Sequence, residues 1–88
     1  MAYTAPGVTP RMLPTGQLEL ISSITGGQVR CEPAGAAMWI ALNQYAGHLD
    51  RAADMLAVLW DEDPLRTHAD MTAWAGRLCA AGMLEAGP

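Results

Sequence analysis

The chain has 88 residues, 51% of them hydrophobic and 16% charged, which is enough for one compact domain with a real core. Nine acidic residues oppose five basic ones, all arginines (Arg11, Arg30, Arg51, Arg66, Arg77), for a net charge of −4 and a pI near 4.8. Affinity for nucleic acid comes mostly from neutralised phosphates, and an acidic chain without a basic stripe argues against that partner. No stretch approaches the roughly 20 apolar residues that span a bilayer, so no membrane partner is expected. The N-terminus lacks the basic start and apolar run of a signal peptide. The two cysteines, Cys31 and Cys79, read as reduced, packed thiols, so the protein is expected in the cytoplasm.

In chain order, residues 1–9 mix Pro, Gly and Thr without periodicity and are expected as a flexible tail. A single domain is expected over 10–86. Arg11 to Leu13, between Pro10 and Pro14, suits a short edge strand. "QLELISS" (17–23) sets Leu18 and Leu20 on one face, and "QVRCE" (28–32) sets Val29 and Cys31 on one face with Gln28, Arg30 and Glu32 on the other. Thr25-Gly26-Gly27 between them is the kind of turn that closes a hairpin. The first third therefore reads as a small antiparallel sheet.

Pro33 fits the first position of a helix that runs through an almost wholly apolar stretch and stops at Gly47, so this helix is expected to be the most buried. A second helix is predicted from about Asp50 to Trp60, with Leu49, Ala52, Ala53, Leu56, Leu59 and Trp60 at spacings of three and four. Asp63 caps a third, with Pro64 at its first position, an apolar stripe of Met71, Trp74, Ala75 and Leu78, and Gly82 as its stop. Strands first and then three closely connected helices give an α+β class of winged helix-turn-helix type: an N-terminal three-stranded antiparallel sheet followed by three helices.

No catalytic constellation is visible. His48 and His68 lie on different elements without zinc spacing, Ser22 and Ser23 lack nucleophile-elbow glycines, and Asp61-Glu62-Asp63 lacks the ligand spacing of a calcium loop. With no lysine, a P-loop is excluded. No cofactor, metal or enzymatic activity is expected. The feature left over is the strand 28–32. If it lies at a sheet edge, Arg30 and Glu32 could blunt that edge, or a partner peptide could add there as a further strand. The third helix, with Met71, Trp74 and Leu78, would then wall a groove.

At "TGGQVRCEPAGAAMW" the sequence resembles the PqqD-like family, the leader-peptide recognition domains of ribosomally made peptide pathways. Thr25-Gly26, Pro33, Ala36, Ala37, Met38 and Trp39 fall on the family's pattern, and Gly47, "AADMLAVLW", "DEDPLRTHADMTAW" and "RLCAAGML" continue it in register over roughly residues 16–84. Gln28 and Val29 stand where relatives often carry aromatics, and Glu32 replaces the usual Asn. Within the family the chain is similar to the small stand-alone recognition protein of lasso-peptide pathways, which is partnered with a cysteine leader peptidase.

The resemblance implies a winged-helix-like binding protein without catalysis. Its partner would be a precursor leader of Tyr-x-x-Pro type, added as an antiparallel strand between the third strand and the third helix. The leader would be presented to the peptidase, with a cyclase as a second candidate recipient. Carried over by position, Gln28, Val29, Arg30, Cys31 and Glu32 would supply the backbone ladder, and Asp70, Met71, Trp74 and Leu78 the helical wall. The competing readings are a structural or dimerisation module, in which the same edge pairs with a second copy, and a DNA-binding regulator.

Overall fold

The computed structural model describes residues 1–87, arranged as β1 (Ala2–Thr4), β2 (Val8–Met12), β3 (Leu18–Ser22), β4 (Gln28–Cys31), α1 (Pro33–Gln44), α2 (Leu49–Trp60), α3 (Pro64–Ala80) and β5 (Leu84–Ala86). The strands β2, β3 and β4 form an antiparallel sheet in that spatial order, followed in sequence by the three helices. This is the winged-helix-like α+β architecture expected from the order of elements.

Alternation decides which face of the sheet is covered. Leu18, Leu20 and Ser22 of β3 are buried, whereas Glu19 and Ile21 between them are only half-buried. Leu18 and Leu20 meet Trp39 and Leu42 of α1, Leu56 of α2, and Met71, Trp74 and Leu78 of α3 in one apolar cluster. α1 is buried along a broad face but leaves Ile40 exposed, so it is less enclosed than its composition suggests. Trp39 and Trp74 are buried, while Trp60 is half-buried against the cluster. Thr67 has no exposed surface, and its hydroxyl donates to the Asp63 carbonyl (3.2 Å).

Proline, aspartate and glycine set the helix limits. The Asp63 carboxylate accepts from the Leu65 N–H at 2.9 Å, with Pro64 in the first turn. At the far end of α3, Gly82 has φ of 77°, and Met83 N–H reaches back to the Leu78 carbonyl (2.9 Å), which closes the helix with a left-handed cap. α1 and α2 close in the same way, but with Ala46 (φ 53°) and Asp61 (φ 52°) in the left-handed position.

Two N-terminal expectations need correction. Residues 1–9 are not a loose tail, because Ala2–Thr4 is a strand paired antiparallel with β5 (Ala2 opposite Ala86, Thr4 opposite Leu84). Ala2 N–H also donates to the Gly47 carbonyl (3.0 Å) and Ala5 N–H to that of Met83 (3.1 Å). The strand partners in β5 lie near the opposite end of the chain, so no local periodicity announces them. The first strand of the main sheet likewise begins at Val8 and runs through Pro10. Ser23 N–H donates to the Gly7 carbonyl and Leu13 N–H to that of Gln17, so the bonded pairs fall on odd-numbered residues of β2. The nitrogen of Pro10 therefore faces away from β3, where no donor is needed.

Candidate functional site

The site is built from the strand that ends just before α1. β4 pairs with β3 alone, with Leu18 opposite Cys31, Glu19 opposite Arg30, Leu20 opposite Val29 and Ile21 opposite Gln28. Ser22 N–H donates to the Gly27 carbonyl (3.0 Å), which fixes the phase of the ladder. Bonded pairs alternate with unbonded ones in an antiparallel ladder, so Val29 and Cys31 exchange hydrogen bonds with β3. The backbone N–H and C=O groups of Gln28 and Arg30 point to the free edge. The side chains alternate as well: Val29 and Cys31 turn inward, and Gln28 and Arg30 are exposed.

Beside this edge lies a groove of about 430 Å³, lined by Val29, Arg30, Cys31 and Glu32 of the strand end, Ala34, Gly35 and Met38 of α1, and Trp74, Arg77 and Leu78 of α3. Gly35 keeps its floor open. A Cβ there would stand 3.1 Å from both the Cys31 Cβ and Trp74 Nε1, so a side chain would crowd both and one of them would have to give by a few tenths of an ångström. Among the described residues the Trp74 indole N–H is the one buried side-chain polar atom without a hydrogen-bond partner. Burial pushes the Cys31 thiol up from its ordinary value. The nearby indole N–H and the charge of Arg77 oppose that shift, although the indole approach does not reach hydrogen-bond geometry.

The charges around the groove are unequally satisfied. Arg30 bridges to Glu19 on β3 (3.3 Å), and Glu32 accepts from Gln17 Nε2 (3.1 Å). Arg77 has no ion-pair partner among the described residues.

Six of the nine residues singled out from sequence line this groove: Val29, Arg30, Cys31, Glu32, Trp74 and Leu78. Gln28 does not; it faces the outer side of the sheet, beside Glu19. Met71 is buried at 1% exposure in the core, and Asp70 is exposed, 4.0 Å from Arg66. Ala34, Gly35, Met38 and Arg77 were missed. Arg77 was findable, since it follows Trp74 by three positions and shares its helix face. The α1 residues were not, because nothing in the sequence says that the first turn of α1 closes the end of the groove.

Elsewhere, His68 Nε2 contacts Asp54 Oδ1 at 2.6 Å across α2 and α3. A shallow depression of about 540 Å³ on α2 is lined by Tyr45, Arg51, Asp54, Met55, Val58 and Leu59. Both cysteines are free, Cys31 buried and Cys79 half-buried. No helix among the described residues is long and apolar enough to cross a membrane.

No family model matches the chain, and no curated protein matches it. Among solved structures it is similar to TbiB1 in complex with the TbiA(beta) leader peptide, with a TM-score of 0.85 and 15% identity over 97% of this chain and 96% of that one. At that identity the likeness is one of fold. It agrees with the resemblance carried by the motifs between residues 16 and 84.

Proposed function

We propose that this protein is a non-catalytic recognition element that binds the leader of a ribosomally made precursor, of lasso-peptide type. The leader adds as a strand to the free edge of β4 and lies in the groove against α3. One observation carries this reading. The backbone groups of Gln28 and Arg30 face outward beside an apolar groove, in a fold that a leader-bound protein shares. Strand addition satisfies those groups, and the groove takes alternate side chains of the added strand. On this reading the aromatic and proline of a Tyr-x-x-Pro leader take the apolar side of the groove, at Val29, Met38 and Leu78. The bound leader is handed to a partner cysteine peptidase, with a cyclase as a second recipient.

The test is a fluorescence-anisotropy titration with a labelled lasso-type leader peptide carrying the Tyr-x-x-Pro motif, with duplex DNA as control. The expected result is saturable, micromolar or tighter binding of the leader and none of DNA. Leader affinity no better than that of a scrambled peptide would overturn the reading.

A second reading, self-association, is favoured by one feature. Val58, Leu59 and Leu65 are exposed apolar side chains at the end of α2 and the start of α3. It requires concentration-dependent sedimentation without any peptide, abolished by Val58→Glu.

A further inference from the structure

The five arginines are not equivalent. Arg30 is engaged by Glu19 and Arg66 stands near Asp70. Arg51 belongs to the depression on α2, and Arg11 lies on β2. Arg77 alone is a cation that lines the groove and has no ion-pair partner among the described residues. Its positive charge is also felt at the buried Cys31 thiol, as the smallest of the three influences on that group. Glu32 shares the groove, but its carboxylate is held by Gln17. With the Arg30 head turned to Glu19 and the Glu32 carboxylate to Gln17, Arg77 is the charge left unengaged at this site, in a chain whose net charge is −4. The apolar side chains of Val29, Met38 and Leu78 reduce the water around any group bound there, which strengthens a charge pair relative to open solvent.

We infer that the groove selects peptides carrying an aspartate or glutamate side chain that meets Arg77, with apolar neighbours filling the space between β4 and α3. The inference rests on the groove being the peptide site. Arginine suits the role because its planar fork can receive both oxygens of one carboxylate. A lysine would supply the charge without that geometry. The competing explanation is that Arg77, in the last turn of α3, only balances the negative end of the helix dipole.

Selection from a displayed library of random peptides separates these cases, run on the full chain as wild type, Arg77→Glu, Arg77→Lys and Arg30→Pro. Thermal melts check that each variant folds; Arg77 is exposed, so its substitutions should be tolerated. Wild type should enrich an acidic residue at a fixed offset from apolar ones. Arg77→Glu should bind those peptides about tenfold more weakly and enrich a basic residue at the same offset. Arg77→Lys should retain most of the preference, and the wild-type affinity should weaken with added salt. Enriched peptides that need an intact Arg30 backbone but show no acidic position, or the same position in Arg77→Glu, would overturn the charge inference alone. A lower melting temperature in Arg77→Glu with unchanged selection would assign Arg77 to the helix end. No enriched peptide, or only peptides indifferent to Arg30→Pro, would overturn the groove reading together with the inference.

Discussion

At the residue scale, Cys31 and the two non-glycine helix caps give the sharpest expectations. Burial raises the Cys31 thiol above its ordinary value of 9.0, so the folded chain holds that proton longer than the unfolded one. Both states are neutral well below that value, and the thiol then adds no pH dependence. As pH rises beyond it the unfolded thiol ionises first, and stability falls until the folded thiol titrates too. Denaturant midpoints should be flat between about pH 7 and 8 and decline above about 9. Peptide mapping after brief alkylation at about pH 8 should show Cys79 modified before Cys31, because the reactive species is the thiolate. Equal rates would contradict the burial of Cys31. Ala46, with φ of 53°, occupies a conformation that costs an L-residue about 1–2 kcal/mol, so Ala46→Gly should raise the melting temperature by several degrees. Asp61→Gly should give less, since aspartate tolerates this region better. Trp74 and Leu78 are poor probes of binding alone, because both are buried and Trp74→Ala should cost about 3–5 kcal/mol of stability.

At the scale of elements, the phase of the β3–β4 ladder makes neighbouring positions respond differently to the same substitution. Val29→Pro removes a hydrogen bond that holds β4 to β3 and leaves its acceptor on Leu20 unsatisfied, so it should lower stability by about 1–3 kcal/mol. Arg30→Pro removes an outward N–H and loses only the exposed bridge to Glu19, worth at most about 1 kcal/mol, so the fold should survive while peptide binding drops. Thermal melts of the two variants check the phase directly; equal destabilisation would contradict it. The helices were legible in the sequence because their boundaries are written in local chemistry: Pro33, Asp63-Pro64, Gly47 and Gly82 lie at or just beyond observed ends. β1 and β5 were not, because three-residue strands paired across nearly the whole chain leave no local signature. Pro10 and Pro14 suggested an edge strand, but Val8 and Thr9 add to it because only the outward nitrogen of Pro10 lacks a donor.

At the scale of the whole molecule, the site is a product of adjacency. β4 runs into α1 through Glu32 and Pro33, α3 packs over the same end of the sheet, and the three meet around Gly35. The alternation in 28–32 made the strand legible and the stripe of α3 gave its wall, but Met71 turned into the core and Asp70 turned to solvent. Helical periodicity marks a face without saying where along it the core ends and the groove begins. Pairing of a peptide strand with the outward backbone of β4 should be visible in amide hydrogen exchange measured with and without a leader peptide. The Gln28 and Arg30 amides, which point to the free edge, should gain strong protection on binding, while the Val29 and Cys31 amides, already bonded to β3, should change little. Saturable leader binding that leaves Gln28 and Arg30 exchanging as fast as before, or that protects Val58 and Leu59 on α2 instead, would contradict that pairing.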